Sequence, residues 1–173
     1  MNKSRGFSLI ELVIVIVIIG LLSAVALPRF FDVSEEAKKA SIEGVSGSFS
    51  SAVIAARAQW EARGRPSDSS GHNQVNYDGV IFLLTKDRPG YPYALQGSNA
   101  GVGVPSAQDC AALLQNLLQN GPSGSIHSNA GTDYQVSTYS DGSHQGCRYT
   151  QGMRPHHNFT YVPNLGRVKV NLQ

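Results

Sequence analysis

Apolar and polar positions divide this 173-residue chain into stretches of different character. From position 7 to 27, 17 of 21 residues are apolar, broken by Ser8, Glu11, Gly20 and Ser23. A helix of that length measures ~32 Å, enough to cross a bilayer core. Pro28 follows; lacking a backbone donor, it is expected to kink or locally open the helix. Charge gathers between Asp32 and Glu36, where the chain is expected to leave the membrane. Helical periodicity then resumes. Ile42, Val45, Phe49, Ala52, Val53, Ala56 and Trp60 recur at three- and four-residue steps and predict a single apolar face. Gly44 and Gly47 either weaken this stretch by roughly 1 kcal/mol each relative to alanine or permit close packing. The helix is predicted to end near Gly64, just before Pro66.

Shorter elements follow. Residues 67–73 read as a polar loop, and 75–84 as a strand region with Asp78-Gly79 as a bend or bulge inside it. Residues 90–106 are rich in glycine, proline and serine and predict a meander. A short helix is expected over 107–119, with Leu113, Leu114, Leu117 and Leu118 on one side and Gly121-Pro122 as its stop. After a small-residue loop at 121–131, strands are expected at 134–139, 148–152, 158–162 and 167–172. The last two flank a compact hairpin loop at 163–166, and Val168, Val170 and Leu172 alternate toward one buried face. A long helix followed by antiparallel strands is an α+β arrangement.

Composition sharpens this division. The chain is 41 % hydrophobic, but outside 7–27 only 54 of 152 positions are apolar. No second apolar run approaches spanning length, which excludes a polytopic membrane protein, and the regular aliphatic and aromatic positions exclude a disordered one. The net charge of +2 belongs to Lys3 and Arg5; the remainder holds 12 basic and 12 acidic residues without a block of one sign. Nothing here tracks a phosphate backbone, so no nucleic-acid partner is expected. Cys110 and Cys147 fit a single disulfide or two unrelated buried thiols, depending on compartment.

The N-terminus speaks to the compartment. Lys3 and Arg5 flank the apolar run, keep that end in the cytoplasm and send the rest outward. Glu11 breaks the run, and a carboxylate at that depth costs several kcal/mol unless it meets a partner. The available cation is the α-amine of Phe7, if the chain is cut after Gly6. A secretory signal ending at Ala24-Val25-Ala26 would instead release a soluble secreted binding protein, cut after Ala26. A plain signal anchor explains topology but not Glu11.

Arg5-Gly6-Phe7-Ser8-Leu9-Ile10-Glu11-Leu12 resembles the processing site of type IV prepilins, and the apolar run up to Leu27 and Pro28 matches that family's pattern. Residues 30–66 are similar, more narrowly, to pilins of the mannose-sensitive haemagglutinin (MSHA) group. The resemblance implies a type IV pilin fold: a long N-terminal helix packed on an antiparallel sheet head with one disulfide. It divides the chain into a leader (1–6), a transmembrane and filament-core helix (7–27), its amphipathic continuation (28–64) and a globular head (65–173). Prepilin peptidase would cut between Gly6 and Phe7, and Phe7 would be N-methylated. Glu11 and Pro28 would serve assembly, Glu11 facing the Phe7 amine of a neighbour. A disulfide comparable to Cys110–Cys147 closes a variable C-terminal region in this family. The implied partners are copies of itself or other pilins in a helical filament, the inner-membrane assembly machinery, and the membrane before assembly. The head would be periplasmic first and on the cell-surface pilus later. A minor pilin or a type II secretion pseudopilin fits the same pattern.

Enzymatic chemistry is not expected. Ser140-Asp141-Gly142-Ser143-His144 is read as a turn, and Gly101-Val102-Gly103 lacks the third glycine of a dinucleotide site. No cofactor or metal is expected: His156 and His157, adjacent in a strand, point to opposite faces and are read as surface histidines, as are His127 and His144. Asp133 and Asp141 stand alone, unlike the carboxylates of a calcium loop. Asn158-Phe159-Thr160 is a sequon by pattern only. Tyr77, Tyr91, Tyr93, Tyr134, Tyr139, Tyr149 and Tyr161 have two readings, rings stacked on a surface glycan receptor or ordinary core, and the core reading is preferred.

Overall fold

The computed structural model describes residues 7–86, 89–127, 131–152 and 156–173, apart from the side chains of Phe31 and Asp32. Its first element, α1, runs from Leu9 to Ala62. Helical structure continues through Pro28 despite the missing proline donor. At the other end, Arg65 N–H donates to the Trp60 carbonyl at 2.9 Å and Gly64 N–H to that of Glu61 at 3.1 Å. This crossed pair satisfies carbonyls that the last turn would leave bare. The Trp60 indole N–H then fixes the exit by donating to the Pro66 carbonyl.

The chain divides into two units, residues 1–38 and 39–173. In the first, the helix presents apolar side chains on every side. In the second, the rest of α1 joins two sheets and a short helix. Strands β1 (Gln74–Tyr77), β2 (Val80–Leu84) and β3 (Pro92–Leu95) form an antiparallel sheet in that order. Helix α2 (Ala107–Leu117) precedes a five-stranded sheet of β4 (Gly124–Ser125), β5 (Tyr134–Ser140), β6 (Gln145–Gln151), β7 (Asn158–Val162) and β8 (Arg167–Asn171), also in sequence order. All its pairs are antiparallel except β4 with β5.

The periodic face of α1 enters the core as its spacing predicts. Ile42, Phe49, Ala52, Val53, Ala56 and Trp60 are buried, with Val45 packed beside them. Phe49 is the centre: its ring lies 5.5 Å from Tyr149, 5.8 Å from Phe159 and 5.2 Å from Tyr161. Those three rings come from the inward positions of β6 and β7, and Leu113, Leu114 and Leu117 of α2 complete the same cluster.

Several elements differ from expectation. Asp78-Gly79 is not a bulge within one strand but the tight turn between β1 and β2. Both residues have positive φ, 50° and 84°, and Tyr77 pairs with Val80 across it. That is the backbone a two-residue hairpin needs, and glycine and aspartate tolerate it. The expected meander contains β3, the small-residue loop contains β4, and β6 begins at Gln145, earlier than expected. Gly146 in β6 explains why a glycine stands inside that strand. A Cβ there would collide with the Tyr161 carbonyl of β7. Gly146→Ala is therefore expected to lower stability by about 1–3 kcal/mol through strand displacement, measurable as a fall in the thermal midpoint.

Beside β5, Ser123 and Asp133 exchange three hydrogen bonds. The Asp133 carboxylate accepts from the Ser123 N–H at 2.8 Å and hydroxyl at 2.7 Å, and the Asp133 N–H donates to the Ser123 hydroxyl oxygen at 3.0 Å. The hydroxyl, then the N–H, hold the Asp133 carboxyl below its ordinary range. A depressed carboxyl contributes stability above its unfolded value, about 3.9, and loses it as pH falls through the folded value. Ser123→Ala should thus be less stable than the parent near neutrality and converge with it toward pH 2, as thermal melts across that range would record.

Candidate functional site

The N-terminal part of α1 is the most unusual surface of the chain. Between Leu9 and Phe30 its large aliphatic and aromatic side chains are exposed all round the helix, and Phe7 before it is 85 % exposed. Isolated exposed hydrophobes are ordinary, but a contiguous apolar surface of this length marks an interaction site. The helix is long and apolar enough to cross a membrane.

Ser8 and Glu11 organise its start. The Glu11 carboxylate accepts from the Ser8 N–H at 2.9 Å and from the Ser8 hydroxyl at 2.8 Å, while the Glu11 N–H donates to the Ser8 hydroxyl oxygen at 3.3 Å. This is a reciprocal capping box, which satisfies backbone donors the first turn leaves unpaired. A carboxylate in the first turn also faces the positive end of the helix dipole. The Ser-x-x-Glu spacing before an apolar run is a sequence signature of such a cap, and the reading of Glu11 as a charge in search of a partner passed over Ser8. Phe7 precedes the capped turn; Gly6, the other half of the expected cleavage point, lies outside the described residues together with the rest of 1–6. Pro28 stands inside α1.

The same device recurs at α2. The Asp109 carboxylate accepts from the Ser106 N–H and hydroxyl, and the Asp109 N–H donates back to the Ser106 hydroxyl oxygen. The next residue, Cys110, is disulfide-bonded to Cys147 of β6, both sulfurs being fully buried. The Tyr149 hydroxyl donates to the Cys110 carbonyl at 2.9 Å, so α2 is tied to β6 twice.

On α1, an added Cβ at Gly44 or Gly47 meets nothing within 4 Å, so close packing inside the subunit is not their role. They line an open groove of about 830 Å³ with Ser48, Ser51, Tyr77 and Leu118.

The other candidates resolve into architecture. Ser140 ends β5 and residues 141–144 form the β5–β6 turn, where Asp141 accepts from the N–H groups of Ser143 at 3.1 Å and His144 at 2.8 Å. Tyr93, Tyr134, Tyr149 and Tyr161 are buried, and the Tyr161 hydroxyl donates to the Pro92 carbonyl at 2.7 Å. Tyr77 and Tyr91 pack against the core, the Arg57 guanidinium lying over the Tyr91 ring. Asn158 is half-buried in β7 and its amide oxygen accepts from Asn171. The histidines require a correction. His156 is exposed, but His157 is fully buried, and its Nδ1 accepts the Gln173 N–H at 3.0 Å. Both histidines lie just before β7 rather than within it, and His157, two residues before Phe159, is buried on the core side. Among the described residues no three His, Cys, Asp or Glu side chains gather where a metal could be held.

One comparison with known proteins falls on this same end of the chain. Residues 1–27 match the family described as the prokaryotic N-terminal methylation motif. Over 65 residues the chain is 45 % identical to a type IV narrow pilus major component of Thermus thermophilus, covering 38 % of this chain and 54 % of that protein. Over 56 residues it is 45 % identical to a type IV major alpha-pilin of Moraxella bovis, covering 32 % and 35 %. A fimbrial protein of Moraxella nonliquefaciens is 62 % identical over 32 residues, covering 18 % and 21 %. The chain thus spans about half the length of the first relative and about a third or less of the others. No solved structure matches.

Proposed function

We propose that this chain, whose α+β fold with a long apolar N-terminal helix is type IV pilin-like, is a structural subunit of a type IV pilus. The observation that carries the reading is the sleeve of exposed apolar side chains on α1 behind a methylation motif. Such a surface needs hydrocarbon before assembly and other subunits afterward. The subunit is held in the inner membrane by residues 7–27, with its N-terminus cytoplasmic and its head, 65–173, in the periplasm. Prepilin peptidase removes the leader 1–6 between Gly6 and Phe7, Phe7 is N-methylated, and the assembly machinery packs the helices into a filament of this or related pilins. Glu11 pairs with the Phe7 amine of a neighbour, and Pro28 marks where the core helix passes into the amphipathic continuation. The role is structural rather than enzymatic.

Within the class, the MSHA group is the preferred placement, on the likeness of residues 30–66, with surface attachment as the task. A minor pilin or a type II secretion pseudopilin is the second reading. N-terminal sequencing by mass spectrometry of the membrane-extracted protein tests the proposal. N-methyl-phenylalanine from position 7 is expected, and Leu27 as the first residue would overturn it in favour of a secreted soluble protein.

A further inference from the structure

The five-stranded sheet turns one face to the core, and the opposite face, exposed on β5, β6 and β8 but buried at Thr160 and Val162 of β7, has its own chemistry. Register places Ser137, Arg148, Thr160 and Lys169 in one row across β5 to β8. A second row holds Gln135, Thr150, Asn158 and Asn171, and a third contains Tyr139, Gly146, Val162 and Arg167. Arg148, Arg167, Lys169, Ser137 and Gln135 are exposed. No aspartate or glutamate occurs anywhere in β5 to β8, although the chain outside the first six residues is balanced in charge. Of the two acids that flank β5, Asp133 is held by Ser123, and Asp141 accepts from the N–H groups of its turn and also acts electrostatically on Arg167.

Cations on an edge strand protect it from pairing with another sheet, which accounts for Arg167 and Lys169 on β8. It does not account for Arg148, which lies on β6, an interior strand. Arg148 is held in place, its guanidinium 4.9 Å from the centre of the Tyr139 ring. Two strand spacings, about 10 Å, separate it from Lys169 with β7 between, and two residue steps, about 7 Å, separate Lys169 from Arg167. Ser137 and Gln135 stand exposed beside them and Thr150, Asn158 and Asn171 half-buried, while Thr160, directly between Arg148 and Lys169, is buried. The face therefore offers spaced cations with interleaved neutral donors and acceptors.

We propose that this sheet face binds an acidic polysaccharide, a chain of hydroxylated rings bearing carboxylates. The planar guanidinium fork matches a carboxylate, and the Ser, Thr, Asn and Gln side chains match sugar hydroxyls. A nucleic acid fits less well. Single strands are held on open aromatic rings, and the one ring in these rows is already covered by Arg148. Duplexes engage more phosphates than three cations answer. Display of this face to such a polymer rests on the cell-surface reading above, whereas the binding is a property of the unassembled subunit.

The full chain in non-ionic detergent micelles should be passed over immobilised alginate, dextran sulfate, neutral dextran and a single-stranded oligonucleotide. Alginate is expected to retain the parent best, with retention falling as salt rises. Arg148→Gln with Lys169→Gln should weaken alginate binding by about tenfold or more. Arg63→Gln, a cation just after α1, should leave it unchanged, and all variants should melt like the parent. Equal retention on neutral dextran, no loss in the double variant, or stronger binding to dextran sulfate or the oligonucleotide would each overturn the proposal. Pilus formation in the same variants, scored separately, reports on the subunit reading alone.

Discussion

Glu11→Ala is expected to leave the subunit in the membrane yet reduce surface filaments by about a hundredfold or more. The exposed apolar sleeve of α1 surrounds this carboxylate on the helix it caps, so its environment in lipid or filament is hydrocarbon. Ser8 gives it two hydrogen bonds, which lower the cost of burial without neutralising the charge. Removing one member of a buried ion pair costs about 3–5 kcal/mol, because the other is left uncompensated. The capping box supplies the discriminating variants. Glu11→Gln keeps an acceptor for the Ser8 N–H but loses the charge; Ser8→Ala keeps the charge but loses the hydroxyl. Counting pili by electron microscopy should show both Glu11 variants bare and Ser8→Ala reduced only a few-fold. If Glu11→Gln assembled normally, the residue would be a helix cap and the intersubunit pairing would be wrong.

Loss of the disulfide should have the next largest effect. Cys110 and Cys147 close a loop with a sequence separation of 37, worth about 3–4 kcal/mol by chain entropy. Against a typical stability of 5–15 kcal/mol that is a large share. The double substitution Cys110→Ser, Cys147→Ser should lower the thermal midpoint by roughly 10–15 °C. Because both cysteines are fully buried, the folded parent should resist reductant and become sensitive only as it melts. An unchanged midpoint in the double variant would show that the Tyr149–Cys110 hydrogen bond and core packing alone hold α2 to β6.

Much of this architecture could be read from the chain because it rests on periodicity. Seven positions from Ile42 to Trp60 mark a face that buries itself around Phe49, and β7 occupies the expected residues 158–162. What escaped notice has physical causes. β3 begins at a proline and lasts four residues, and β4 lasts two, so neither offers a period to detect. Their pairing is decided by tertiary context rather than by local propensity. His157 was misplaced because residue type outweighed strand position. The motif that matches the N-terminal methylation family over residues 1–27 is legible in the sequence. Ser8 is legible too, as a cap: the Ser-x-x-Glu spacing pairs Glu11 with the residue three places before it.

The β5–β6 turn carries one more consequence. Its hydrogen bonds are local: Asp141 serves Ser143 and His144, and the Ser140 hydroxyl oxygen accepts from Gly142. The turn residues 141–143 are exposed and contribute nothing to the aromatic core, whose nearest anchor on each strand lies several residues away. Chain breaks and added segments are best tolerated at such tips. A foreign peptide spliced between Asp141 and Gly142 would leave the ladder below it paired and would be copied once per subunit. A filament built from this chain would then become a repetitive scaffold for presenting that peptide.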